Sequence, residues 1–392
     1  MTAPARASAG ASASAGERIA ALSALLVGDR GGFVELPILQ PADIFIELAG
    51  EEFRTRLFTV AGAGGGGEEL CLRPDYTIPV CRKHLAENGA ASAVRTDYAY
   101  LGPVFRQGRK SGAPEFLQAG VEWVDFGDTV VSDADILALA VQAAAVLGLE
   151  RPAIRVGDAD LFAAVVARLG LSEAWGRKLV AAFGHAGRLQ RALARLAGGG
   201  GAATSLAQRL GRALANVGPD DAKAIVEAVV DLPAIAPVGG RSGAEIAERI
   251  LAQSAAAPPE RAAAATATLA RYVAIEATLD RAADTVERFA TDAGIAVDAA
   301  LAQFRERVAA IAARGIDPGD VRFSAGFGRE LDYYTGFVFE LDDPAGPGGG
   351  PMIGGGRYDR LFALLGAGRP IPAIGFAIWL DRFGIAAPGG LR

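Results

Sequence analysis

Apolar residues recur at helical spacing over residues 17–27 (ERIAALSALLV), which predicts a first helix. A short β-prone run follows at 33–36, and Pro37 and Pro41 confine any strand there to an edge or interface. Residues 53–60 read as a strand or connector, and residues 69–73 as a strand. Asp75 can then cap a helix over 76–87, closed by Asn88 and Gly89, with Pro79 tolerated in the first turn. Two longer strands, 95–105 and 116–126, flank the loop RQGRKSGAPE; a helix over 133–147 and a short strand at 153–157 come next. Residues 173–314 are rich in Ala, Leu and Arg with helical periodicity, broken by glycines 198–201 and several prolines, and show no repeat of fixed period. The last third carries GRELDYYTGFVFE (328–340), a charged and aromatic cluster entering a strand, then a Gly-rich loop at 346–356. GGGRYDRLFALLG (354–366) reads as a turn feeding a helix, and PAIGFAIWLDRF (372–383) as an apolar strand running into a helix.

Strict alternation makes 116–126 the most informative strand. Leu117, Ala119, Val121 and Trp123 share one face, which belongs to a core, while Gln118, Gly120 and Glu122 share the other. A carboxamide and a carboxylate either side of a glycine describe a solvent-facing strand or a lined pocket. Tyr98 and Tyr100 share a face of the preceding strand and read as sheet surface, and Arg109 and Lys110 as solvated loop residues. Arg357 and Asp359 read as a pair across a turn.

The 392 residues are 51% hydrophobic and 21% charged, a globular composition with length for one large or two medium domains. Net charge is −6, without a long basic run, which argues against a broad nucleic-acid surface. Two cysteines (Cys71, Cys81) without metal or redox spacing and two histidines argue against a metal site or a disulfide framework. Residues 1–16 are an Ala/Ser/Gly tail without an apolar core, read as disordered and not as a signal peptide. No uninterrupted apolar run predicts a membrane span, so a cytoplasmic protein is the expectation. The glycine run 62–67 reads as a hairpin loop and lacks the Lys-Ser/Thr of a phosphate-binding loop.

Five segments, in order, resemble the histidyl-tRNA synthetase catalytic core, a class II aminoacyl-tRNA synthetase: LRPDYTIP, GPVFR with FLQAGVEWV, GRELDYYTGFVFE, GGGRYDRL and PAIGFAIWLDRF. The resemblance implies an α+β fold, a mixed, mainly antiparallel sheet with flanking helices. Residues 17–169 and 317–392 would form that core, with residues 170–316 as a helical insertion. It also implies a histidine pocket. Asp75 (Glu in the synthetase), Thr77 and Gln118 would hold the amino group, Glu122, Tyr334 and Tyr358 would surround the imidazole, and Arg329 would face the carboxylate. The segment at 33–41 is similar to the first class motif, which implies a dimer.

The departures define the expected function. Arg106 is followed by Gln107 and Gly108, without the carboxylate that addresses adenine in the synthetases. Trp379 replaces a small glycine beside the nucleotide, so Arg106 and Arg382 read as a remnant nucleotide site, although Trp379 also fits ordinary core packing. No anticodon-binding domain follows the core in these residues. That combination resembles the synthetase's paralogues, the regulatory subunits of ATP phosphoribosyltransferase. It implies no catalysis and no cofactor of its own, assembly with a short catalytic subunit in a hetero-oligomer for the first step of histidine biosynthesis, and histidine as effector. Two alternatives are a histidine-activating ligase and a scaffold with a vestigial pocket.

Overall fold

The computed structural model describes residues 13–28, 31–49, 51–60, 69–89, 94–109, 113–197, 259–329, 333–346 and 350–386. The expectations for the tail up to residue 12, the glycine run 62–67, Lys110 and residues 198–258 lie outside them. Two compact units divide the chain: Met1–Val156 with Glu306–Arg322 and Tyr333–Arg392, and Gly157–Arg305 with Phe323–Asp332.

In the first unit, helix α1 (Ala15–Val27) starts two residues before its predicted position because Ser14 and Glu17 form a reciprocal capping box. Its Leu22 and Leu26 are fully buried. The run 33–36 forms no strand; Val34 instead donates its N–H to the Ala99 carbonyl at 2.8 Å. The strand comes later, as β1 (Leu39–Pro41), followed by α2 (Ala42–Ala49). With β2 (Thr59–Val60) and β3 (Leu70–Leu72) it makes a small antiparallel sheet of order β1-β3-β2, which leaves β1 at an edge, where Pro41 is tolerated.

Helix α3 (Thr77–Asn88) opens without a side-chain cap from Tyr76 and closes at Gly89. The main sheet contains β4 (Thr96–Phe105), β5 (Glu115–Val124), β6 (Ala153–Asp158), β9 (Phe337–Asp342), β10 (Ile353–Arg357) and β11 (Ala373–Trp379). In this unit their order is β4-β5-β11-β10-β9-β6, antiparallel from β4 through β9. The mixed, mainly antiparallel α+β architecture is the one the sequence predicts. Helix α4 (Thr129–Val146), capped by Asp128 onto the Val131 N–H, packs on β9, β10 and β11.

Glycines 354–356 were expected in a turn. They lie instead in β10, with five of five residues buried, between β9 and β11. Glycine is a poor strand former, and packing overrides that preference here: a Cβ on Gly355 would meet the Gly375 carbonyl oxygen at 2.4 Å. The strand 372–383 ends in a short 3-10 turn (Leu380–Phe383) rather than a helix.

The second unit is mostly helical. It holds α5 (Ala159–Ala167), α6 (Glu173–Val180), α7 (Ala186–Leu196), α8 (Pro259–Val273), β7 (Glu276–Thr278), α9 (Leu279–Ala293) and the start of α10 (Asp298–Ala312), with the end of β8 (Val321–Ser324). Asp158 caps α5 through the Asp160 and Leu161 N–H groups. Phe162, Tyr272 and Phe289 pack at a tilt through its core at centroid distances of 6.1 and 5.5 Å.

Candidate ligand-binding pocket

The alternation read from 116–126 fixes which side chains meet. Leu117, Ala119 and Val121 are buried on the α4 side, while Gln118, Gly120 and Glu122 lie on the α3 side. Across β5, Glu122 pairs with Tyr98 on β4 and Gly375 on β11, Gly120 with Tyr100 and Ala377, and Gln118 with Gly102 and Trp379. The next strand adds Gly356 beside Gly375 and Gly354 beside Ala377. A row of glycine and alanine therefore leaves this part of the sheet face without bulk of its own, and Glu122 and Tyr100 pack onto it. A Cβ on Gly375 would lie 1.9 Å from Glu122 Oε2, and one on Gly120 would lie 2.1 Å from the Phe376 carbonyl oxygen.

Glu122 is 1% exposed. Thr77, at the start of α3, donates its hydroxyl to Oε1 at 2.6 Å, and Tyr358 donates to Oε2 at 2.5 Å. Burial pushes the Glu122 carboxyl up to about 8; the two hydroxyls oppose that rise, and the nearby Asp75 carboxylate adds to it. Asp75 is likewise raised by burial, with the Arg106 charge and the Ile78 N–H pulling the other way. The Tyr100 and Tyr358 phenols are held neutral by burial.

Among the described residues, three buried polar atoms on this face have no hydrogen-bond partner: Asp75 Oδ1 and both the Oε1 and Nε2 of Gln118. Gln118 is 1% exposed and Asp75 5%. Buried amides and carboxylates are almost always paired, so these atoms call for a partner, water or ligand, that donates to one and bonds the other.

Tyr358 reaches the pocket because of its neighbour. Arg357 points to the α4 side, where Nη2 and Nε bond Asp133 Oδ1 at 2.6 and 3.0 Å and Nη2 also donates to Ser132 Oγ at 2.8 Å. Arg307 holds the other oxygen of Asp133 at 2.7 Å. With Arg357 fixed on one face, the next residue turns to the other. The expected pair of Arg357 with Asp359 is present at 3.1 Å, as the weaker part of this cluster. Neither Asp133 nor Arg307 stood out in the sequence, since their meeting depends on tertiary packing.

Tyr98 and Tyr100 are not sheet surface. Tyr98 meets His84 Nδ1 at 3.1 Å; Tyr100 is fully buried, stacks on Tyr76 at 4.4 Å and donates to the Phe376 carbonyl at 3.2 Å. Tyr334 is half-buried, with its ring 5.0 Å from that of Tyr333. Arg329 belongs to the second unit, where its carbonyl oxygen lies 2.6 Å from a Cβ built on Gly184.

The remnant nucleotide residues gather at the Gln118 end. Trp379, 6% exposed, stands opposite Gln118, and the Arg382 guanidinium lies 4.9 Å from its ring while bonding the Pro351 carbonyl. Arg106 Nε donates to the Pro74 carbonyl at 2.7 Å. Arg109, read as solvated, is instead committed: it pairs with Asp381 at 2.8 Å, donates to the Ala113 carbonyl at 2.7 Å and lies 3.7 Å over Phe116. Local sequence showed an exposed loop cation; the partner that draws it in lies 272 residues away.

Known proteins share this chain's sequence pattern and fold. The sequence profile of the histidyl-tRNA synthetase family matches residues 29–241 and 231–383. ATP phosphoribosyltransferase regulatory subunits of Brucella ovis and Brucella melitensis biotype 1 are each 43% identical over 354 residues, 89% of this chain and 91% of theirs. The chain belongs to this regulatory-subunit family, within the histidyl-tRNA synthetase-like proteins. Among solved structures, an ATP phosphoribosyltransferase regulatory subunit/histidyl-tRNA synthetase from Bacillus halodurans has the same fold, with a TM-score of 0.60 at 20% identity over 95% of this chain and 79% of that one. A histidine–tRNA ligase subunit from Alicyclobacillus acidocaldarius gives 0.53 at 25% identity over 98% and 96%.

Proposed function

We propose that this chain is the non-catalytic regulatory subunit of a cytoplasmic ATP phosphoribosyltransferase, that it activates a short catalytic subunit, and that the Gln118–Glu122 face of its sheet is the assembly's histidine sensor. The observation that carries the reading is the pairing of a ligand-ready inner end with an occupied outer end. Asp75 Oδ1 and the Gln118 amide await partners, while Trp379, Arg382 and the Arg109–Asp381 pair use each other where a nucleotide would extend.

In this reading Asp75 and the Gln118 oxygen accept from the ligand's ammonium. Thr77, whose hydroxyl is donated to Glu122, contributes its lone pairs. Glu122, Tyr358 and Tyr334 surround the imidazole. Leu39 and Ile38, 46% and 43% exposed beside the edge strand β1, support a dimer through this segment within the larger hetero-oligomer. Histidine acts on the assembly through unequal affinity for its active and inactive states.

The test is reconstitution with the short catalytic chain from the same source, supplied with ATP and phosphoribosyl pyrophosphate. The expected result is turnover by the mixture and by neither chain alone. An unchanged catalytic chain would remove the reading, and histidine-dependent exchange of pyrophosphate into ATP by this chain alone would replace it with a ligase.

A further inference from the structure

Glu122 sits among groups that cannot neutralise it. From α3 it meets Thr77 and Cys81, with Asp75 just before the helix; from β4, Tyr98 and Tyr100; from β11, Gly375; and after β10, Tyr358. Among the described residues no lysine, arginine or histidine pairs with it. Two hydroxyl donors only partly replace the water that a buried carboxylate has lost, so the group needs a proton or a cation. Burial accordingly holds the carboxyl near 8, so the empty pocket carries a proton on Glu122 at neutral pH.

We propose that the pocket binds histidine as its imidazolium, and that the ring's extra proton is the one Glu122 carries when the pocket is empty. This rests on the histidine reading given above. The Glu122 O–H bond breaks and an N–H bond forms at the lone pair of the unprotonated ring nitrogen. A neutral acid and a neutral imidazole become a carboxylate–imidazolium pair, with no proton exchanged with solvent. Thr77 and Tyr358 are already oriented to stabilise the carboxylate so formed. Recognition then selects for basicity as well as shape. A ring of the same outline that resists protonation leaves the proton on Glu122 and forfeits the ion pair.

The proton count of binding tests this. Full-length protein is titrated calorimetrically with L-histidine from pH 5.5 to 8.5, in buffers of differing ionisation heat. Around pH 7 the expected count is near zero. Below the ring's own pKa of about 6.5, binding releases up to one proton. Above about pH 8, where Glu122 has lost its proton, binding takes up most of one. Affinity peaks between the two values and falls about tenfold per pH unit beyond them. The weakly basic isostere 1,2,4-triazolyl-3-alanine binds at least tenfold more weakly than histidine at pH 7, and Glu122→Gln abolishes the uptake at high pH. Histidine binding with a flat proton count, or a triazole bound as tightly as histidine, would overturn the inference while leaving the histidine site standing. Absence of histidine binding at every pH would remove that site and this inference together.

Discussion

Gly375 stands directly across from Glu122 on the neighbouring strand, and any side chain there collides with the carboxylate and with the Val121 carbonyl. Gly375→Ala is therefore expected to lower stability by about 1–3 kcal/mol and to weaken histidine binding more than tenfold, read by thermal denaturation and calorimetry. Glu122 itself leaves a signature on stability. Its folded pKa of about 8 lies above its ordinary value of 4.5, so between those limits the folded chain holds a proton that the unfolded chain has released. Stability contributed by this group is present below about pH 4.5 and is lost as pH rises through 8. Melting curves of Glu122→Gln should show a smaller decline across pH 5 to 8 than the parent protein. At this scale the sequence was legible where period-two alternation applies, and so Gln118 and Glu122 could be placed together. Gly375, Tyr100 and Arg109 could not, because their meaning depends on strand register and partners far along the chain.

Strand β10 shows what an element adds. Three consecutive glycines leave room that Phe339 and Phe376 of the neighbouring strands fill, and the strand's last residue plants a guanidinium on Asp133 so that Tyr358 faces Glu122. Removing Asp133 leaves Arg357 and Arg307 buried without their carboxylate. Asp133→Ala is expected to cost about 3–5 kcal/mol in chemical denaturation. Asp133→Asn, which keeps the volume, should lose less stability. Local propensity read these glycines as a turn, since glycine disfavours strands in isolation and only the packed sheet shows why nothing larger fits. The alternating strands β4 and β5, whose patterns are local, were legible almost to their ends, and α1 shifted only by its capping box.

For the whole molecule, the motifs sufficed for the fold, because FLQAGVEWV, PAIGFAIWLDRF and GGGRYDRL supply the neighbouring central strands β5, β11 and β10. The helical second unit was legible as helix and not as function, since its apolar stripes satisfy one another and leave no chemistry in the pattern. The proposed division of labour is that this chain senses and its partner catalyses. Its most direct test is the histidine inhibition curve of the reconstituted enzyme carrying Gln118→Ala, a change that removes the two unpartnered amide atoms and leaves Glu122, Thr77 and Tyr358 bonded. Uninhibited turnover matching that of the parent assembly, with the inhibition midpoint raised more than tenfold, is the predicted result. An inhibition midpoint unchanged by the substitution would contradict the account and move the sensor out of this pocket.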